Sequence, residues 1–222
     1  MRNIKIAPDE HYHLFNRGMS KQNIFLDKND YIRFLFLILY FQSPVIISHP
    51  KRYIKGFVQH SVFDISEEEK QKIIKGRYVE LVSFCLMPNH FHLIIREVKE
   101  GGISQYMQRV LNSYTKYFNA RYEKSGHLFQ GPYKAVHIKD DNHILYLSTY
   151  VHKNPTELKE WKKKERFYTW SSYQDYIGKN RWGDLLMPGI VIEQFKKVTD
   201  YYDFVQTSVA KTIQEELEFY DQ

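Results

Sequence analysis

Two almost unbroken apolar runs, Tyr78 to Met87 and Phe91 to Val98, are separated in this chain only by Pro88, Asn89 and His90. Short apolar runs without polar alternation fit strands buried on both faces, and Met87-Pro88-Asn89 has the chemistry of a hairpin turn. Ahead of them, His11 to Arg17 reads as a strand ending at Gly18, and Asp27 or Asn29 caps an apolar helix from about residue 30 to 42. The stretch from Pro50 to Phe63 is basic and aromatic without clear periodicity. Ser66 then opens a short helix to about Lys75 with a capping-box pattern, and residues 44–76 read as an insertion.

After Gly101-Gly102 the apolar residues Ile103, Tyr106, Met107, Val110, Leu111, Tyr114, Phe118 and Tyr122 recur at spacings of three and four, which predicts a long amphipathic helix. Tyr133 to Lys139 alternates as a strand, Asp140 or Asp141 caps another helix, and Asn154-Pro155 ends it. The order fits an α+β chain: a ferredoxin-like split βαβ antiparallel sheet with helices on one face, plus a C-terminal helical extension. The expected division is a core over residues 1–156 and an extension over 157–222, packed on or beside it. No internal repeat is visible.

A single cysteine, Cys85, excludes an intramolecular disulfide and a Cys-based zinc cluster, which suits a reducing cytoplasm. The N-terminal residues carry no apolar run of a secretory signal, and the longest such run, Phe34 to Phe41, is far below the ~20 residues that span a bilayer. The net charge of +6 is uneven: residues 101–139 hold six Lys and Arg against Glu123 alone, whereas from Val198 onward six acidic residues face only Lys211. A basic middle that also carries Tyr106, Tyr114, Tyr117, Phe118 and Tyr122 suits a polyanion with stacking faces, meaning nucleic acid, although a solvated helix face has the same composition.

The sharpest local feature is His90-Phe91-His92 at the start of the second apolar strand. Alternate strand residues share a face at roughly 6.6 Å, so both imidazoles can turn onto one ion while Phe91 enters the opposite layer. The second such triplet, His11-Tyr12-His13, lies on a strand expected to be half exposed and is read as structural.

Met87-Pro88-Asn89-His90-Phe91-His92 resembles the HUH motif of the single-tyrosine transposases. Phe15-Asn16-Arg17-Gly18 with Ile24-Phe25, the stretch from Gly126 to Lys134, Tyr150-Val151-His152-Lys153-Asn154-Pro155, and Trp170-Ser171-Ser172-Tyr173 resemble the REP-associated tyrosine transposases in the same order. The likeness covers about residues 10–178, outside the insertion. It implies a metal-dependent cut of single-stranded DNA near a hairpin, with strand transfer through a 5′-phosphotyrosine.

By that resemblance Tyr150, which stands 58 residues after His92, is the nucleophile, with Tyr146 one turn earlier as its rival. Asn154 lies four residues after Tyr150, so the two side chains are helical neighbours. The family places an amide or acidic ligand at this offset, and capping of the helix is the other reading of Asn154. His90, His92 and Asn154 would hold Mg²⁺ or Mn²⁺, and Zn²⁺ would also bind such a set. His152 points away from Tyr150 on a helix and stays outside the site. Arg17, Arg109, Lys116, Gln130 and Lys134 are the expected DNA contacts. The expected setting is the cytoplasm, at the nucleoid, with no membrane, and a homodimer is compatible with it. Two other classes stay open: a catalytically silent, sequence-specific nucleic-acid binder, and a water-using metal nuclease.

Overall fold

The computed structural model describes residues 4–48 and 50–208. Its centre is a four-stranded antiparallel sheet of β1 (His11–Arg17), β2 (Val79–Met87), β3 (His90–Glu97) and β4 (Lys134–Ile138) in the order β2-β3-β1-β4. This is the expected split βαβ arrangement, with the β2–β3 hairpin returning beside β1. The acidic residues beyond Ser208 lie outside the described part of the chain.

One sheet face carries Tyr12, Leu14, Phe84, Leu86, Phe91, Leu93 and Ile95, all buried against α1 (Lys28–Tyr40) and α4 (Gly102–Arg121). The two helices begin where the sequence says they should. Asp27 accepts hydrogen bonds from the amides of Asn29 and Asp30, and Asp30 returns a carboxylate to the cap, closing a capping box. Buried Glu97 accepts from the amides of Gly102 and Ile103 at 3.1 and 2.6 Å, which places a negative charge on the positive end of α4. Gly102 tolerates nothing larger, since a Cβ there would lie 2.3 Å from the carbonyl oxygen of Tyr78.

The opposite face is also covered, which the expectation of helices on one face leaves out. Val82, Cys85, Met87 and Ile94 pack under α5 (Asp141–Lys153) and the C-terminal segments. Those segments cap the edge of the sheet: Leu86 donates its amide to Trp170 O, Ser172 to Phe84 O, and Met187 to Leu81 O. An edge strand paired in this way has no open ladder for another chain to join, and double coverage explains why β2 reads as a continuous apolar run.

The stretch from Pro50 to Phe63, without clear periodicity in the sequence, contains a helix, α2 (Pro50–His60). Tyr53 and Phe57 lie one turn apart on its inner side, and the Tyr53 ring stacks 6.2 Å from Phe36 of α1. Lys51, Arg52, Lys55 and Gly56 interrupt that stripe and hide the period. The following helix, α3 (Glu67–Gly76), starts at Ser66, whose hydroxyl accepts from the Glu69 amide as its capping pattern requires.

Candidate active site

The hairpin turn and the ladder registers bring β1, β3 and α5 together at one end of the sheet. In β1 and β3, Phe15 faces His92 and Arg17 faces His90, so the odd-numbered residues of β1 share a face with both histidines. α5 crosses this face and presents Tyr150 and Asn154. The Tyr150 ring meets the His92 ring edge-on at 5.2 Å, and the His90 and His92 rings lie 5.1 Å apart at 86°.

The Asn154 side chain closes the helix end and also faces His90. Its amide nitrogen donates to the Tyr150 carbonyl at 3.0 Å and so closes the last turn of α5, while its amide oxygen lies 3.2 Å from His90 Nε2. On the other side of the ring, His90 Nδ1 lies 2.7 Å from the Asn89 amide oxygen. A neutral imidazole carries one proton, yet here each ring nitrogen faces an amide oxygen. The proton position follows the tautomer: with the proton on Nδ1, Nε2 is an acceptor facing Asn154 Oδ1, and with the proton on Nε2 it donates to that oxygen. In the Nδ1-protonated tautomer both atoms are acceptors, and that is the form in which they could hold a cation.

Among the described residues no three His, Cys, Asp or Glu side chains converge as a metal cluster. His90 has the His92 ring at 5.1 Å and the Asn154 amide oxygen at 3.2 Å, and two imidazoles with an amide oxygen are donors of the kind borderline and hard divalent ions accept.

His13, read from the sequence as half exposed and structural, is fully buried, and His92 is nearly so at 3% exposure. The rings are almost coplanar, 17° apart, and His13 Nε2 lies 2.8 Å from His92 Nδ1. Burial holds the His13 imidazole down to about 3, and the charge of His143 pushes in the same direction. The signal in the sequence was the period of two along β1, which puts His13, Phe15 and Arg17 on one face. What hid it was the assumption that this face meets water, when α5 covers it.

Arg17, Gln130 and Lys134 gather beside this site. Arg17 Nε donates to Gln130 Oε1 at 2.5 Å, and Lys134 Nζ sits 5.9 Å above the Phe15 ring, itself 5.8 Å from the His92 ring. The loop that carries Gln130 is pinned to the end of β1 by a Gly18–Phe129 bridge. Gly18 is required there because a Cβ would lie 2.1 Å from the Gln22 carbonyl oxygen.

Two of the expected DNA contacts lie elsewhere. Arg109 gives its guanidinium to the carbonyl oxygens of Ser43 and Val45 and to the Tyr78 hydroxyl, and stacks on Phe41, so it ties α4 to the 41–45 segment. Lys116 is exposed on α4, across the sheet from α5, and lines an open groove of about 580 Å³ with Gln108, Asn112, His127 and Tyr133.

Tyr146, the rival nucleophile, is 47% exposed and packs on Phe204, 5.6 Å between rings, away from the histidines. His152 also stays out of the site, as its helical position predicts. It is buried among Ser83, Ser172 and Tyr201, with Nδ1 2.6 Å from the Tyr201 hydroxyl, and burial brings its imidazole down to about 3.

Residues 45–154 match the family model described as Transposase IS200 like. The fold is similar to a solved structure described as a REP-associated tyrosine transposase bound to a REP hairpin, with a TM-score of 0.51 and 11% identity over 82% of this chain and 86% of that one. No curated protein matches the chain.

Proposed function

We propose that the chain, which is similar to the IS200-like transposases over residues 45–154, is a divalent-metal-dependent single-stranded DNA endonuclease and strand transferase that works through a 5′-phosphotyrosine near a DNA hairpin. The observation that carries this reading is the meeting of Tyr150, His92, His90 and Asn154 at one end of the sheet, with His90 Nε2 3.2 Å from the amide oxygen of Asn154.

In the proposed reaction the Tyr150 oxygen attacks the scissile phosphorus. A P–O bond to tyrosine forms, the bond to the 3′ oxygen breaks, and the phenolic proton is lost as the leaving 3′ oxygen gains one. The phosphodiester count is unchanged, so rejoining to a new 3′-OH needs no external energy source. A phenol has an ordinary pKa near 10 and is a weak nucleophile. Mg²⁺ or Mn²⁺ bound by His90, His92 and Asn154 would polarise the phosphate. Arg17 and Lys134 flank Phe15 and supply positive charge for the phosphates on either side, while the Phe15 ring offers a base a stacking surface. Tyr150 is 3% exposed, so the side chain as a whole is largely covered.

Within this reading, residues 1–156 form the catalytic core and 157–222 the extension, and the protein acts on DNA in the cytoplasm, at the nucleoid. Among the described residues no helix is long and apolar enough to cross a membrane.

The test is incubation with hairpin-flanked single-stranded DNA labelled on the 3′ side of the cut, with Mg²⁺, followed by denaturing electrophoresis. A label that stays with the protein, and is lost in Tyr150→Phe, supports the reading. A released 5′-phosphate product without adduct points to a water-using nuclease, and DNA binding without any cleavage points to a silent binder.

A further inference from the structure

β1 contributes a residue to this site that the metal-and-tyrosine reading leaves without a role. His13 is fully buried, its ring is nearly coplanar with that of His92, and the two nitrogens are 2.8 Å apart, so the shared proton lies in the plane of both rings and along both lone pairs. The β1–β3 register sets this up: Phe15 is directly across from His92, and His13 reaches it from the diagonal position on the same face.

We propose that His13 is the positioning residue for His92: it accepts a hydrogen bond from Nδ1 of His92 and thereby fixes the tautomer and ring angle in which Nε2 of His92 faces the metal. This rests on the metal reading given above. The alternative direction, with His13 donating, puts the proton of His92 on Nε2 and blocks it as a ligand.

Both directions contain two protons in the pair, one on each ring. Each of the two arrangements is therefore uncharged, which matters in the dry interior, where an isolated charge is very costly. In the ion-bound direction the second proton of the pair sits on His13 Nδ1, a buried atom with no hydrogen-bond partner. That arrangement is unfavourable by itself and is sustained when an ion takes the other end of the pair. A hydrogen bond of this kind to a ligating imidazole typically changes metal affinity by about 10- to 100-fold when removed.

The experiment is Mn²⁺ binding by electron paramagnetic resonance on the full chain and on His13→Phe, His13→Gln and His90→Ala, with near-ultraviolet circular dichroism to confirm folding. His13→Phe keeps the ring volume and loses the acceptor, and is expected to bind Mn²⁺ about 10- to 100-fold more weakly. His13→Gln can place an amide oxygen where Nε2 lies and should recover most of that loss, which a packing role alone does not predict. Folded His13→Phe that binds like the parent, while His90→Ala does not, overturns the role of His13 and leaves the metal reading standing. If His90→Ala also binds like the parent, the ion is not held here and both fall. Should His13→Phe fail to fold, long-range ¹H–¹⁵N spectra of the parent chain saturated with Mg²⁺ decide: a proton on Nδ1 of His92 supports the proposal, and one on Nε2 overturns it.

Discussion

His90 is held between two amides, with Nδ1 2.7 Å from the Asn89 amide oxygen and Nε2 3.2 Å from the Asn154 amide oxygen. His90 and Asn154 come from β3 and from the end of α5, 64 positions apart, so the contact also fixes where α5 lies over the sheet. Asn154→Asp is expected to retain Mn²⁺ binding, because a carboxylate oxygen replaces the amide oxygen. Asn154→Leu is expected to lose most of it and to loosen the end of α5, since the bond to the Tyr150 carbonyl goes as well. Calorimetric titration with Mn²⁺ on both variants checks this, and equal affinity in the two would contradict it.

Tyr150→Phe removes one oxygen from a side chain that is 3% exposed and leaves its ring contacts with His13 and His92. DNA affinity by fluorescence anisotropy should stay within a few-fold while strand cleavage disappears. Tyr146→Phe, on the outer side of α5 against Phe204, should cleave like the parent. The reverse pattern would move the nucleophile to Tyr146.

Basic residues divide by location. Arg17→Ala and Lys134→Ala remove charge beside Phe15 and His92, and each should flatten the salt dependence of single-strand binding by about 0.7 in the log–log slope if it meets one phosphate. Lys116→Ala tests whether the DNA also crosses to the groove on α4. Arg109→Ala should leave the slope unchanged and instead lower stability, by about 2 kcal/mol, because its partners Ser43 O and Val45 O lose their donor. An Arg109→Ala protein of unchanged urea midpoint with a flatter slope would reverse this assignment.

Stability should fall on mild acidification. Burial lowers both His13 and His152 to about 3, against an ordinary value near 6.5. Between those limits the unfolded chain binds protons that the folded chain refuses, so stability declines as pH falls from about 6.5 toward 3 and is level above about 7.5. Each histidine contributes up to about 2 kcal/mol of loss by pH 5, from 1.36 kcal/mol per pH unit. Urea midpoints at pH 7.5, 6.5 and 5 measure this, and His152→Gln, which cannot protonate in this range, should show a shallower decline. Equal midpoints across the series would contradict the burial argument.

The sheet was legible because its strands differ in pattern from everything around them. The unbroken run through Val79 and Phe91, the stop at Gly18 and the caps at Asp27, Ser66 and Asp140 are all local, and local chemistry decides them. That Asn154 meets Tyr150 was legible for a similar reason: a spacing of four on a helix means the same thing in any fold. His13 and Arg109 were not. Whether the odd face of β1 meets water or α5, and whether the guanidinium of Arg109 meets phosphate or the carbonyls of Ser43 and Val45, depends on segments more than 60 positions away. The helix over Pro50–His60 was obscured by Lys and Gly inside its apolar stripe, and it forms against Phe36 and, through Phe57, against Trp182.

The central claim is that one tyrosine becomes joined to the 5′ end of the cut strand. The most direct measurement is mass spectrometry of the protein after reaction with hairpin-flanked single-stranded DNA and Mg²⁺, with the DNA trimmed by nuclease and the protein digested. The account predicts a phosphonucleotide mass on the peptide that contains Tyr150, localised to that residue and absent when chelator replaces the ion. The same mass on Tyr146 or another tyrosine, or cleaved DNA with a 5′-phosphate and no modified peptide, would contradict it.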